Sequence, residues 1–205
     1  MRITIEEKNA TRQRIIQAAV ALFRTGGFEA TTTRDIARAS EIATGTLFNY
    51  FDTKEAIVSA LAIEALSKAH ETLANGSSKA SLEENLFALV AIELRHLKPL
   101  RRFIAPFLET SLSPIVAARG TGVDEPRVGH LELVAEIARL HGLTELSPVA
   151  LQMYWALYVG VLFFWSADKS SQQEDTLALL DESLSMFVAW LNAPRGESNQ
   201  ERHRS

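Results

Sequence analysis

The chain has no cysteine. Disulfides, thiolate metal sites and cysteine nucleophiles are therefore excluded, and a reducing cytoplasm suits it. It lacks an apolar leader: the opening MRITIEEKNA carries polar and charged residues where a signal peptide would be hydrophobic, so none is expected. It lacks catalytic signatures as well. No His-Glu-x-x-His, Gly-x-Ser-x-Gly or phosphate loop occurs, and the histidines at 70, 96, 130, 141 and 203 are scattered. No enzyme activity, metal or cofactor is expected. Alternating strand patterns and internal repeats are also missing.

Long apolar runs are scarce. The exception is VALQMYWALYVGVLFFWSA at 149–167, close to the length of about 20 residues that spans a bilayer. It stands alone, contains Gln152 and Ser166, and precedes a capped amphipathic segment. A helix apolar all round is also what a helical core or a subunit interface requires. No membrane partner is expected.

What remains is helical. Thr4-x-x-Glu7, Thr32-x-x-Asp35, Asp52-x-x-Glu55, Ser81-x-x-Glu84 and Ser171-x-x-Glu174 have the spacing of capping boxes. Ser147-Pro148 pairs an N-cap with proline at the first helical position. Gly26-Gly27, Asn75-Gly76 and His141-Gly142 supply stops. Apolar residues make up 47% of the 205 residues and recur at helical period. An all-α fold of about nine helices is expected. The stretch at 119–129 reads as a loop and the polar end at 193–205 as a disordered tail.

Charge divides the chain. Residues 1–54 hold 8 Lys/Arg against 6 Asp/Glu, while residues 55–205 hold 13 against 19. The first quarter is thus the part suited to a polyanion. Within it, helices from about Thr33 to Ala39 and about Ala43 to Tyr50, separated by Ser40, Glu41 and Ile42, make a helix-turn-helix. Ile36, Ala37, Ile42 and Leu47 form its inner face. Thr44, Gly45, Thr46, Phe48, Asn49 and Tyr50 lie outward, as a helix entering a major groove requires.

Residues 11–61 closely resemble the N-terminal domain of the TetR/AcrR family of transcriptional regulators. Ala18-Ala19, Leu22-Phe23, Gly27-Phe28, Thr31-Thr32, Ile36-Ala37, Gly45-Thr46-Leu47, Tyr50-Phe51 and Lys54 carry the likeness. It implies a DNA-binding domain at 1–54 and a ligand-binding and dimerisation domain at 55–192. It implies a ligand-responsive repressor, a homodimer on a palindromic operator. Thr32 and Thr33 would meet a phosphate, and Arg34 a base edge or the backbone. Thr44, Thr46 and Asn49 would read bases, and Tyr50 and Lys54 would hold phosphates. Three positions depart from the family pattern. Glu41 replaces a turn glycine, Ala43 a serine N-cap and Thr44 a frequent basic residue. Together they predict a recognition helix held loosely before DNA binds.

In the larger domain, Phe87, His96, Phe103, Phe107, Met153, Trp155 and Tyr158 are the candidate lining of a pocket for a small apolar or aromatic effector. Trp165, Leu177, Leu180, Leu184, Phe187 and Trp190 are the candidate dimer face, on two helices that would pair into a four-helix bundle. Arg95, Lys98, Arg101 and Arg102 form a basic run that caps carbonyls, faces solvent, takes an anionic ligand or touches DNA. Two other readings stay open: a helical interaction protein with weakened DNA binding, and a DNA-binding regulator without an inducer.

Overall fold

The structure is a computed structural model and describes residues 4–74, 80–105, 108, 125–143 and 145–193. Among them are eight α-helices, two 3-10 turns and no strand. The helices are α1 (Ile5–Gly26), α2 (Thr33–Ala39), α3 (Thr44–Phe48), α4 (Lys54–Ala74), α5 (Leu82–Leu97), α6 (Glu125–Leu140), α7 (Pro148–Ala167) and α8 (Glu174–Asn192). The 3-10 turns are Lys98–Phe103, after α5, and Ser171–Gln173, before α8.

Local chemistry sets most helix starts. Thr4 with Glu7, Thr32 with Asp35 and Ser81 with Glu84 each form a reciprocal capping box. Ser147 caps α7 ahead of Pro148. Two predicted boxes do not form. Thr53, not Asp52, caps α4, its hydroxyl accepting the Ala56 N–H at 3.1 Å. At α8 the Ser171 box gives way to Asp168. That carboxylate accepts the Ser170 N–H at 2.7 Å and the Thr176 N–H at 3.1 Å, and the Thr176 hydroxyl donates to it too. These bonds, led by the Thr176 hydroxyl, hold the Asp168 pKa well below the usual carboxylate range. Gln172 and Gln173 then sit in the left-handed region, at φ 50° and 64°.

The expected loop at 119–129 is corrected at its end. Residues 125–129 are the first turns of α6, where Pro126 is tolerated because a helix start has no partner for its missing N–H. Residues 119–124 and the expected tail at 194–205 lie outside the described residues, as does the Asn75-Gly76 stop.

The N-terminal helices close around Ile15, Ile16, Ala19, Phe23, Phe28, Ile36, Ala37 and Leu47, all buried. Phe23 and Phe28 meet edge to face at 5.0 Å and seal the α1–α2 loop. α4 packs against α1, α5 and α6, so it belongs to both halves. Glu64 on α4 takes Arg12 at 3.0 Å and Gln13 at 2.9 Å from α1. α5 packs on α4, α6 and α8, and α8 on α7. Trp165, Tyr154, Leu89, Leu100, Leu180 and Phe187 are the large side chains at the centre of that body.

α7 is long and apolar enough to cross a membrane by length and composition. One side of it is protein core, however. Ala150, Tyr154, Tyr158, Val161, Leu162 and Trp165 are buried at helical spacing.

Candidate nucleic-acid interface

α2 and α3 meet through a turn built by the backbone. The Ser40 N–H and hydroxyl both donate to Ile36 O, at 2.9 and 2.6 Å, and the Ile42 N–H donates to Ala37 O at 3.0 Å. Arg14 of α1 donates its Nε to Ser40 O at 3.0 Å, fixing the turn to the long helix. Glu41 holds the turn's left-handed position at φ 55°. A residue with a Cβ costs roughly 1–2 kcal/mol there. Replacing Glu41 by glycine should therefore stabilise the protein by roughly 0.5–1 kcal/mol, after glycine's own entropic cost. Urea unfolding at fixed protein concentration measures it, and a loss of stability would show that the Glu41 side chain is needed.

α3 is shorter than expected, ending at Phe48 rather than Tyr50, with Asn49 as its C-cap. Ala43 supplies no side-chain cap, at a cost of about 1 kcal/mol relative to serine. Buried Leu47 anchors the helix from below. Above, Gly45 and Asn49 are exposed, Thr44 and Thr46 half-buried, and Phe48 leaves 46% of its surface open. An added Cβ at Gly45 meets no atom within 4 Å, so packing inside the protein does not demand glycine there. Tyr50 is half-buried and packs against the core.

At the start of α2, Arg34 is exposed and makes no ion pair among the described residues. Thr33 is half-buried. The Thr32 hydroxyl is engaged: it donates to Asp35 at 2.6 Å and accepts the Asp35 N–H at 3.2 Å. Those bonds keep the Asp35 pKa low, so a carboxylate sits at the end expected to face a phosphate. Lys54 turns inward. Its Nζ donates to Phe28 O at 2.7 Å and Glu29 O at 3.3 Å and lies 4.3 Å from the Phe28 ring centre.

The expected pocket residues do not converge. Phe87 lines a cleft of about 480 Å³ with Ala91, Leu94 and Leu177 on its apolar wall and Arg95, Lys98 and Gln173 beside them. His96 and Met153 are exposed. Trp155 and Tyr158 lie together, ring centres 5.3 Å apart, around His130. Phe107 and the Phe103 side chain are outside the described residues. Of the expected dimer-face residues, Trp165, Leu180, Leu184 and Phe187 are buried within the protomer, which leaves them no surface for a partner. Leu177 is exposed and Trp190 half-buried. Besides Leu177, the large apolar residues that α7 and α8 turn outward are Val149, Met153, Phe164, Leu179 and Met186.

A buried polar cluster went unread in the sequence. Glu93 and His130 are each 1% exposed. His130 Nδ1 lies 2.8 Å from Glu93 Oε1, and Nε2 lies 3.0 Å from the Tyr154 hydroxyl. Tyr158 stacks on the imidazole at 4.0 Å. Burial, then the Glu93 charge, pushes the pKa of both tyrosines well up. The signal was an acid at position 93, in phase with Leu86, Leu89, Val90 and Leu97 on the buried stripe of α5.

Residues 15–61 match the profile of the bacterial regulatory proteins of the tetR family. The transcriptional repressor KstR2 of Rhodococcus jostii is 37% identical over 81 residues, covering 37% of this chain and 40% of that protein. The transcriptional regulator TtgR of Pseudomonas putida is 36% identical over 77 residues, covering 38% and 36%. The chain thus spans about two fifths of the length of these relatives. Similarity of fold runs further. A TetR regulator from Nitrosomonas europaea aligns over 87% of this chain and 98% of its own, with a TM-score of 0.66 at 22% identity. Thermus thermophilus FadR, a TetR-family repressor solved with lauroyl-CoA, aligns over 92% and 98%, with a TM-score of 0.62 at 23% identity. With its helix-turn-helix inside the matched segment, residues 15–61 form an N-terminal domain of the tetR family of bacterial regulatory proteins, and the chain shares the fold of the solved TetR regulators.

Proposed function

We propose that the protein is a DNA-binding transcriptional regulator, a cytoplasmic repressor acting as a homodimer on a palindromic operator and released by a small effector. The observation that carries it is the outward face of α3, set on the family-matched segment. Thr44, Thr46 and Asn49 present small hydrogen-bonding groups beside an open glycine and an exposed phenylalanine. Such a surface has no role in the protomer's core and fits base edges and thymine methyls. Arg34 is free to reach a base or phosphate, and Tyr50 and Thr33 lie at its flanks. Lys54 contributes first as a tether of the α1–α2 loop.

Residues 1–54 serve as the DNA-binding domain and 55–192 as the effector and dimer domain. The apolar wall of the cleft beside Phe87 suits an apolar or aromatic effector, and the solved complex of Thermus thermophilus FadR with lauroyl-CoA supports a small-molecule effector on this fold. An effector acts by binding the DNA-incompetent arrangement more tightly than the competent one.

The test is selection of bound duplexes from a random library, then titration of the winner at two salt concentrations. A palindromic winner, bound more weakly at high salt, is expected. Gly45→Ala separates reading from folding. It should stabilise α3 by about 1 kcal/mol yet weaken the selected duplex, because the added methyl stands where DNA approaches. Enrichment of no sequence, with equal binding by Gly45→Ala and the parent, would sink the reading.

A further inference from the structure

A second cleft, of about 830 Å³, lies where α1 meets the body. Arg24 and Thr25 come from the end of α1, Arg95 from the last turn of α5, and Lys98, Pro99 and Arg102 from the 3-10 turn that follows. Four of its lining residues are cations and none is an acid. None of the four makes an ion pair among the described residues. Helix ends explain only part of this charge. The C-termini of α1 and α5 together present about one negative unit, against four positive side chains. The neighbouring Arg101 does serve as a cap, donating to Trp165 O at 2.7 Å and to Asp168 O. Arg95 and Lys98 also border the cleft beside Phe87, while Arg24 and Arg102 line this cleft and not that one, in a chain whose net charge is −4.

We propose that this cleft binds a small soluble anion bearing two or more phosphate groups, held between α1 and the body. The volume exceeds one phosphate and suits a molecule of nucleotide size. Three guanidinium forks and one ammonium match phosphate oxygens better than a lone carboxylate. Because α1 also holds the helix-turn-helix through Arg14 and Ser40 O, an anion clamped at its far end bears on the reading head. The site stands on the cleft itself, so its test needs no operator.

The full chain is titrated with inorganic pyrophosphate and with ADP, at constant ionic strength, by calorimetry and thermal unfolding. Both anions should bind and raise the thermal midpoint. Arg24→Gln/Arg102→Gln, at positions that do not line the cleft beside Phe87, should weaken binding by about tenfold or more, while Lys169→Gln, outside the cleft, should leave it unchanged. Without anion, the double variant should be no less stable than the parent, since like charges have been removed. Should it fail to fold, Arg24→Gln, an exposed position, gives the same reading. Binding by neither anion, or equal binding by the parent and the cleft variants, overturns the proposal. So does a shallower salt dependence of random-duplex binding in the cleft variants, which would make the cleft a contact for the DNA backbone.

Discussion

Replacing His130 by alanine should cost about 3–5 kcal/mol of folding stability, the scale of loss when one partner of a buried polar pair is removed. The reasoning rests on what is left behind. His130 occupies both Glu93 Oε1 and the Tyr154 hydroxyl, and Glu93 Oε2 meets the geometry of a hydrogen bond with none of the described residues. Without the imidazole, an acid at 1% exposure loses its partner at 2.8 Å, and the faces of Tyr154 and Tyr158 lose their stack. Against a typical total of about 5–15 kcal/mol, that is a large share. Tyr154→Phe should be far milder, about 1 kcal/mol, because it removes one hydrogen bond and keeps the ring. The double replacement Glu93→Leu/His130→Leu should cost less than His130→Ala, since no buried acid is left without its partner. Urea unfolding at one fixed protein concentration measures all three. A cost below about 1 kcal/mol for His130→Ala would mean that water takes its place.

Phe164→Glu should turn the protein into a monomer and weaken operator binding by at least about 100-fold, the scale on which two linked half-sites exceed one. Val149, Met153, Gly160 and Phe164 follow one another at helical spacing on the outer side of α7, and Leu179 and Met186 share a face of α8. Met186 is 61% exposed and Val149 62% in the protomer, a large apolar surface to leave to water. Gly160 lies on the same stripe with open space above it, which permits close backbone approach. A carboxylate buried at the centre of such an interface has no partner. Sedimentation should give one species at monomer mass, while circular dichroism should be unchanged because Phe164 is 43% exposed before any partner arrives. A Phe164→Glu dimer of unchanged operator affinity would place the partner surface elsewhere.

Sequence reading succeeded where chemistry is local. Thr4, Thr32, Ser81 and Ser147 announce helix starts because the cap bonds reach only three residues ahead. The left-handed turn at Glu41 was legible only through the family resemblance, which puts a glycine at that position. Ser171 failed because it opens a 3-10 turn, in which the Glu174 N–H its box needs donates to Ser171 O, while Asp168 takes the Ser170 and Thr176 N–H groups. Which side of α7 and α8 faces outward was not legible, for a different cause. A helix apolar on every side has no preferred direction in its periodicity, so burial of Trp165 could not be told from exposure of Phe164. On α8 the strongest stripe, Leu180, Leu184 and Phe187, serves the chain's own core. The Glu93–His130–Tyr154 cluster joins three helices far apart in sequence, and nothing short-range encodes such a meeting.

One tether described above constrains how any signal travels. Lys54 rivets the first turn of α4 to the α1–α2 loop, and Glu64 pins it again to Arg12 and Gln13 nearly three turns on. With two such bolts, α4 cannot slide along α1. When the body tilts α4, the reading head must swing with it as a single lever, and the yielding seam must be the contact between the end of α1 and the 3-10 turn after α5.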